Sequence, residues 1–332
     1  MTSVYDSTLE TLCRDPHRLK LFRNAFFKKA LPLEECLEKA PELAGKLCFQ
    51  ALELSERHDS QRDGATKLVF RAKPALRELE GQNHKVEAVI LRIASGRTSL
   101  CISSQIGCAA DCQFCATGKL GFIRNLAAAE MLDQVLIAKR LLREEGRTLR
   151  NVVVMGMGEP LLNEENLFQC LETLRDPRFF NLSENHLMVS TVGIPDAMVR
   201  FAERFPNIQL ALSLHSARQE VREQIMPIAK FQTLEKLKTV FPVLKDFMVE
   251  VLLLKGISDG PEDLAALIEF LRGTKAHINL IQLNVHPSTQ FTPVAEDARK
   301  AFGDELKRAG FKVTLRYSLG DDIAAACGQL GK

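Results

Sequence analysis

The chain has 332 residues, and a typical domain of about 150 residues makes two domains the expected number. Hydrophobic residues make up 46% of the chain and charged residues 26%, which is the composition of a globular protein and excludes a disordered or fibrous one. The 44 Lys and Arg residues nearly balance the 42 Asp and Glu residues, so any nucleic-acid site must come from local patches.

The sequence contains nothing typical of export or membrane insertion. No apolar segment follows a basic one near the start, and the longest apolar runs, at 152–157 and 251–254, are far shorter than the about 18 residues of a membrane helix. We therefore expect a cytoplasmic protein without a membrane partner. In that compartment the nine cysteines are expected to be free, metal-binding or catalytic rather than a disulfide framework.

The first part of the chain predicts a small accessory domain, residues 1–85, that is mostly helical. Residues 1–62 are expected to form helices, and KLVFRAK and KVEAVILRI to form two strands that lead into the main unit. Residues 17–29 carry five Lys and Arg side chains and no acid, and a second basic stripe runs at helical spacing from Lys139 to Arg147. Either could bind RNA phosphates, although a solvated helix face is the simpler explanation of each.

From residue 98 onward, strand-like runs alternate with helical ones, and we assign 86–332 to a second domain. Seven runs rich in Val, Ile and Leu alternate with amphipathic segments, a pattern that predicts a parallel sheet covered by helices. The strand-like runs are SLCISS, NVVVMG, HLMVSTVG, IQLALSL, FMVEVLLL, INLIQLN and KVTLRYS. In such folds the chemistry gathers at the carboxyl ends of the strands.

Three cysteines lie together just after the first of these strands. Cys108, Cys112 and Cys115 are spaced so that one loop can supply three thiolates, enough for three irons of a 4Fe-4S cluster, with the fourth iron open to a substrate. A competing interpretation adds Cys101 to form a structural zinc site or a closed cluster with four thiolates. Cys101, however, falls within the predicted strand SLCISS rather than on the loop.

The CxxxCxxC spacing, with Phe114 before its last cysteine, resembles the radical S-adenosylmethionine (SAM) superfamily. Six segments in the same order resemble the RlmN/Cfr family of adenosine methyltransferases more specifically, and together they span about residues 87–330. These segments are LCISSQIGCAADCQFCATGKLGFIRNL, VVVMGMGEPLLN, VSTVGI, LSLHSA, INLIQLN and GDDIAAACGQL. The resemblance implies a partial (β/α)6 barrel with a small helical N-terminal domain and a two-stranded extension.

The same resemblance implies a 4Fe-4S cluster on Cys108, Cys112 and Cys115, and SAM as the second cofactor. From the residues alone, the GMGEP turn at 156–160 ends a strand, where small residues let a ligand approach the backbone and a carboxylate can bind an amine. The residues that the resemblance assigns to SAM are Gly158, Glu159, Ser190, Ser213, Leu214, His215 and Asn284. A plain strand-to-helix turn remains the alternative for the GMGEP segment.

The adenine ring explains why such an enzyme would need a methyl-carrying thiol. C2 and C8 of adenine are electrophilic carbons, whereas methyl transfer from SAM requires a nucleophile, which a thiolate supplies. The resemblance assigns this role to Cys327: one SAM methylates it, and a second SAM is cleaved to a radical that activates the methyl group for addition to adenine. The resemblance makes Cys101 the thiol that releases the RNA by forming a transient disulfide with Cys327. It makes Glu87 the proton acceptor, although a lone strand glutamate more often faces solvent.

The substrate follows from the resemblance as well. It implies methylation of an adenosine in 23S rRNA, with tRNA as a second candidate substrate, a flavodoxin-type reductase as electron donor, and a monomer. Pro160 favours the RlmN branch and C2 methylation, because the Cfr branch, which methylates C8 and confers antibiotic resistance, carries Ala there. An alternative of another class is a non-catalytic RNA-binding protein with a structural metal site.

Overall fold

The structure, a computed structural model, describes residues 2–6, 8–72 and 85–331. The strands are β1 (Thr2–Ser3), β2 (Leu47–Cys48), β3 (Leu52–Asp59), β4 (Ala65–Ala72), β5 (Lys85–Arg92), β6 (Thr98–Ile102), β7 (Gln105–Gly107), β8 (Phe122–Asn125), β9 (Asn151–Val154), β10 (Leu187–Thr191), β11 (Gln209–Ser213), β12 (Phe247–Leu252), β13 (His277–Ile281) and β14 (Lys312–Arg316).

Helices connect most of these strands. The α-helices are α1 (Leu9–Leu12), α2 (Pro16–Arg23), α3 (Leu33–Leu37), α4 (Ala116–Lys119), α5 (Ala128–Glu144), α6 (Glu164–Arg175), α7 (Pro195–Arg204), α8 (Gln219–Ile225), α9 (Leu234–Val240), α10 (Pro261–Phe270) and α11 (Glu296–Arg308). Shorter 3-10 helices lie at Pro41–Leu43, Pro160–Asn163, Glu184–His186, Pro227–Lys230, Phe241–Val243 and Asp321–Ile323, and a π-helical turn at Asn24–Lys28.

Ten of the described strands form one sheet in the order β14-β13-β12-β11-β10-β9-β6-β5-β4-β3. The seven strands from β6 to β14 in this order are parallel, whereas β3, β4 and β5 continue the sheet beyond β6 in antiparallel pairs. Six strands of the parallel set are each followed by at least one helix, and β14 ends the series. The predicted parallel sheet covered by helices is therefore confirmed.

The two faces of the parallel sheet differ in chemistry. Leu280 and Leu315 face α11, since a Cβ atom added at Gly303 would lie 3.2 and 3.4 Å from their side chains, and this outer face joins the main apolar core. Strand register places Cys101, Ser213, Glu250 and Asn279 on the opposite face. We call this the inner face; it carries polar groups and thiols, and its residues lead to the carboxyl ends of the strands.

The N-terminal prediction needs two corrections. Helical structure extends only to Leu43, and residues 52–59 form β3 rather than a helix. The extension of the sheet therefore has three strands, because β3 pairs with the predicted strands β4 and β5. Leu52 is buried and Leu54 partly buried, while Glu53 and Ser55 are exposed. This alternation with a period of two is typical of a strand with one buried face.

Aromatic packing joins the N-terminal helices to the sheet domain. Phe27 contacts both Phe179 and Phe180, with ring centroids 5.0 and 5.5 Å apart. The Tyr5 hydroxyl donates to Asp133 Oδ1 at 2.6 Å, and Asp133 also accepts the backbone N–H of Leu52 at 2.9 Å. These contacts place the N-terminal region and α5 in one continuous core.

Some side chains of the two basic stretches, residues 17–29 and 139–147, take part in this packing. Arg23 is buried with its guanidinium 5.3 Å from the Phe179 ring, and Lys139 and Arg140 of α5 lie over Phe180 and Phe26 at 5.5 and 5.2 Å. Such contacts between cations and aromatic rings stabilise a packed interface. Only part of either stretch is therefore left to face solvent. No helix among the described residues is long and apolar enough to cross a membrane.

Candidate active site

The cysteine loop lies between β7 and α4 and is fixed by backbone hydrogen bonds. The N–H of Cys108 donates to the carbonyl of Gly121 at 3.0 Å, and that of Cys115 to the carbonyl of Cys112 at 3.1 Å. Gly118 packs so closely beneath the loop that a Cβ atom there would lie 2.8 Å from the carbonyl oxygen of Cys112. The loop is thus held in shape by its own backbone.

Electrostatics indicate that the three loop thiols lie close together. Burial is the largest cause that raises the pKa of Cys108, to about 12, and negative charge on Glu159 and Cys115 contributes to this rise. The pKa of Cys112 is raised well above its usual value, again chiefly by burial and then by the charges of Cys115 and Cys108. A bound group that carries positive charge would offset the unfavourable charges around Cys108 and Cys112 and allow both thiols to ionise.

Three thiols on one loop are a donor set that suits a 4Fe-4S cluster. Among the described residues, no group of three or more His, Cys, Asp or Glu side chains is arranged to hold one metal ion. A cluster makes a different demand, because each thiolate binds its own iron. The structural-zinc alternative would require Cys101 beside the loop; the cysteine whose charge acts on Cys101 is instead Cys327.

Cys327 lies beside the cysteine loop because the C-terminal segment, residues 318–331, is hydrogen-bonded to the start of α4, directly after that loop. The N–H of Ala116 donates to the carbonyl of Gly328 at 2.7 Å, and the Thr117 hydroxyl donates to the carbonyl of Leu330 at 2.7 Å. Asn284 donates to the carbonyl of Cys327 itself at 2.9 Å. Cys327 is exposed as a residue, yet desolvation of its thiol by the surrounding protein raises the pKa to about 11.

Cys101 and Glu87 approach the C-terminal segment from β6 and β5. Cys101 packs in a small apolar cluster with Ala325 and Leu330, and burial and then the charge of Cys327 raise its pKa to about 12. Glu87 is buried rather than solvent-facing: its Oε2 accepts the N–H of Gly331 at 3.0 Å, and burial raises its pKa. The structure thus brings three predicted catalytic residues to one place. All nine cysteines are free thiols.

The GMGEP turn is shaped by contacts within the protein. A Cβ atom at Gly156 would lie 2.6 Å from the Ser103 hydroxyl oxygen, and one at Gly158, where φ is +99°, would lie 2.4 Å from the Cβ of Gln105. The glycines therefore allow the turn to approach β6 and the residues after it. Protein atoms occupy the Cβ positions of both glycines, so neither glycine leaves space for a ligand there.

Glu159 is the most constrained carboxylate of the candidate site. Its Oε1 accepts the N–H of Leu161 and the Thr191 hydroxyl at 2.9 and 2.7 Å, and its Oε2 accepts the N–H of Val192 at 2.7 Å. Burial raises its pKa to about 7 despite these three donors. Because Oε2 accepts one hydrogen bond, it retains acceptor capacity for an amine. The charge of Glu159 also raises the pKa of Cys108, which places the turn beside the cysteine loop.

The other residues assigned to SAM differ in their surroundings. Ser190 and Ser213 end neighbouring strands, and their hydroxyl oxygens lie 3.0 Å apart on the inner face. Asn284 lies against the C-terminal segment, as described above. Leu214 is different, because its side chain is buried in the main core, so any contact with SAM must come from its backbone.

His215 connects the end of β11 to the cysteine loop. Its ring packs against Phe114 with centroids 4.8 Å apart, and its Nδ1 accepts the N–H of Leu252 at 3.2 Å. Burial, reinforced by the charge of Arg222, lowers its pKa to about 3. The imidazole is therefore neutral, with its proton on Nε2, and cannot supply positive charge to the site.

Reasoning from the sequence missed two buried charged groups near this site. Glu250 on the inner face accepts a hydrogen bond from Asn279 at 2.9 Å, and its charge acts on Cys327. Arg222 of α8 is fully buried, and its charge acts on Cys112. The sequence gives a weak indication of Glu250, because a glutamate interrupts the apolar run FMVEVLLL. It gives no indication that Arg222 is buried, because ARQEVREQIM is typical of an exposed helix.

Comparison with known proteins agrees with this arrangement. The model of the radical SAM superfamily matches residues 102–271. A probable RNA methyltransferase of Rhodopirellula baltica is 46% identical over 322 residues, covering 95% of this chain and 83% of that protein. A probable dual-specificity RNA methyltransferase RlmN of Chlorobium phaeobacteroides is 38% identical and covers 92% of this chain and 86% of that protein.

A solved structure is similar over the whole chain. The crystal structure of a radical SAM methyltransferase from Sphaerobacter thermophilus superimposes with a TM-score of 0.86 at 32% identity, covering 99% of both chains. The fold and the cysteine loop thus define a radical SAM protein with the barrel fold of that superfamily. The chain belongs to the RlmN family of radical SAM RNA methyltransferases, and it is a SAM-dependent enzyme.

Proposed function

We propose that this protein methylates C2 of an adenosine in 23S rRNA, and also in tRNA, using a methyl group carried on Cys327. The observation that carries the proposal is the pair of hydrogen bonds, Ala116 to Gly328 and Thr117 to Leu330, that hold the Cys327 segment against the cysteine loop. A methyl-carrying thiol must lie beside the place where the radical forms, and these contacts support that placement.

The proposed cofactors are a 4Fe-4S cluster on Cys108, Cys112 and Cys115, and SAM. When bound, they supply one-electron cleavage of SAM, which yields a radical able to remove hydrogen from a methyl group. SAM would be held by the residues described above at the ends of β9, β10, β11 and β13. Glu159 offers its remaining acceptor site to the methionine amine, and neutral His215 donates from Nε2.

The chain's own residues have three proposed tasks. The Cys327 thiolate accepts the first methyl group, and Glu87, buried beside Gly331, accepts the proton lost from the adenine ring, while the unpaired electron of the adduct returns to the cofactor that supplied it. Cys101 then attacks the sulfur of Cys327: the S–S bond forms, the bond from that sulfur to the carbon on adenine breaks, and its electron pair takes up a proton to complete the product methyl group. Cellular thiols must reduce this disulfide, which supports a cytoplasmic location.

The remaining proposals concern partners. We propose residues 1–85 as an accessory RNA-binding region, supported by exposed basic side chains such as Lys20 and Lys28 on the helix that buries Phe22 and Phe26 in the core. A flavodoxin-type protein would deliver the electron, and the enzyme would act as a monomer. C8 methylation of the Cfr type has less support, because several of the relatives carry the name RlmN.

Product identification tests the function directly. The protein is reconstituted anaerobically with iron and sulfide and incubated with SAM, reductant and a 23S rRNA fragment, and the digested RNA is compared with 2-methyl- and 8-methyladenosine standards by mass spectrometry. We expect 2-methyladenosine with the native protein and with Cys48→Ala, and none with Cys327→Ala. The 8-methyl product would indicate the Cfr reaction, and a colourless protein without methylation would favour the non-catalytic alternative.

A further inference from the structure

Arg222 is a fully buried cation whose hydrogen bonds all go to neutral groups. Its two terminal nitrogens donate to the backbone carbonyls of Gln232 and Val192 at 2.7 and 2.5 Å. Its Nε is buried without a hydrogen-bond partner in the described part of the chain, and no salt bridge to Arg222 forms among those residues. Burial lowers its pKa to about 10, so the guanidinium still carries its charge at neutral pH.

Burying a charge without an opposite charge is costly, and packing alone does not explain it. Two backbone carbonyls satisfy part of the guanidinium, but a neutral donor of similar length would do the same without the desolvation penalty of a full charge. A buried cation is therefore retained at a cost in stability unless an anion is present in the working protein. The described residues do not provide this anion as a paired carboxylate.

The helix that carries Arg222 is attached to the cysteine loop. The N–H of Gln113 donates to the carbonyl of Ile225 at 2.9 Å, and Cys112 is buried in one apolar cluster with Ile225 and Met226. Val192, whose carbonyl accepts from Arg222, belongs to the same cluster, and its N–H donates to Glu159. Arg222 thus lies directly behind the loop, on the side away from solvent.

We infer that Arg222 is the fixed countercharge for the thiolates and the cluster that the loop would hold, and that it raises the reduction potential of that cluster. The inference rests on the proposed function, since it requires the cluster. Uptake of one electron from an external reductant adds one negative charge to the cluster and its three thiolates. A buried cation beside them stabilises the reduced state more than the oxidised one, because little water is present to screen it.

The chain offers a matched control in Arg299 of α11. Arg299 is also buried, donates to the backbone carbonyl of Arg316 at 3.1 Å, and stacks on the Tyr317 ring at 4.9 Å. It lies under the last strand of the sheet, whereas the cysteine loop lies beside α8. Removing its charge tests the loss of a buried guanidinium in the same way as Arg222→Gln does, but should leave the cluster unaffected.

The test compares Arg222→Gln, Arg222→Lys and Arg299→Gln with the native protein. Each is reconstituted anaerobically with iron and sulfide, its iron content is measured, and the midpoint potential of the cluster is determined by redox titration followed by electron paramagnetic resonance. We expect a more negative midpoint for Arg222→Gln, a midpoint near the native value for Arg222→Lys, and no shift for Arg299→Gln. Circular dichroism monitors folding in parallel.

The other possible results also support or overturn the inference. If Arg222→Gln retains no cluster but Arg222→Lys binds it at the native potential, charge is again the requirement and the inference stands. It is overturned if all variants share the native midpoint, or if Arg222→Lys shifts or loses the cluster as Arg222→Gln does, because Arg222 would then act through its shape. A native protein that binds no iron and sulfide would instead contradict the proposed function.

Discussion

The two ends of the chain are attached to the sheet domain in different ways. The N-terminal region is held by apolar packing, in which Phe27 is fully buried and contacts rings from the other side of the interface. The C-terminal segment is held by a few hydrogen bonds at Cys327 and after it, and Cys327 is itself an exposed residue. Apolar packing supplies stability, whereas the hydrogen bonds position one reactive group.

The largest effect is expected from removing the thiol that faces the C-terminal segment. In Cys101→Ala, methylation should begin but the RNA should stay covalently bound to Cys327, because no second thiol can break the bond to sulfur. A denaturing gel with labelled RNA would show a protein–RNA band, and turnover beyond the first event would be lost.

The matched control is the double variant Cys101→Ala, Cys327→Ala, which should show no such band. Free, fully methylated product from Cys101→Ala would remove the resolving role from Cys101. The segment would then only carry the methyl group, and its contact with β6 would be structural.

A second prediction separates the two kinds of attachment. Phe27→Ala should lower the free energy of unfolding by about 3–5 kcal/mol, because it leaves a cavity among packed rings. Asn284→Ala should change it by less than about 1 kcal/mol, because it removes a hydrogen bond at a partly exposed position. Denaturant unfolding measures both values.

Methylation rates should show the opposite order. With saturating SAM, Asn284→Ala should slow methylation by about 10- to 100-fold, because the carbonyl of Cys327 loses its anchor. Phe27→Ala should stay within a few-fold of the native rate at a temperature where it is folded. Equal losses of rate in both variants would contradict the division of roles between the two ends.

The smallest effect is expected at Glu159, which follows β9 in the middle of the sheet and belongs to neither end of the chain. Burial raises its pKa to about 7, so the carboxyl is mostly protonated below that pH and ionised above it. If the ionised form binds the SAM amine, affinity should rise by about tenfold between pH 6 and pH 8. Calorimetric titration with SAM measures this, and Glu159→Gln should show a flatter profile; an equal slope in both proteins would assign the dependence to another group.

The same pKa has a consequence for stability. Because the folded-state pKa of Glu159 lies above its unfolded value, its contribution to stability is complete below the unfolded pKa of about 4.5 and is lost as the pH rises through about 7. The free energy of unfolding should therefore fall less over this range in Glu159→Gln than in the native protein.

Much of the fold was predictable because local sequence patterns indicate strands and helices. The seven parallel strands follow from runs of Val, Ile and Leu, and the cysteine loop from a spacing within eight residues. The prediction failed at residues 52–59, where a strand with one exposed face carries charged side chains, and one buried and one partly buried leucine are a weak signal. Because most side chains of β3 are exposed, the alternation of apolar and polar residues with a period of two is weak in the sequence.

The candidate site was predictable in its residue types but not in its arrangement. Cys327 is 212 residues from Cys115, and no periodicity indicates that Gly328 binds the residue after Cys115; only the resemblance to a family suggested that they meet. The assignment of Gly158 to SAM stays a prediction, and the structure adds that Ser103 and Gln105 occupy the Cβ positions of Gly156 and Gly158. Contacts between distant segments depend on how the whole sheet is assembled.

The sequence by itself determined the order of strands and helices, the three-thiol loop and the absence of a large net charge, because composition and short-range spacing are properties of the chain alone. Only the tertiary structure decided which groups are desolvated. It buried Glu87, Glu159 and Arg222, and it left Cys327 exposed beside the loop. Burial changes the energy of a charge far more than residue type does, and burial is set by segments that meet only in the folded protein.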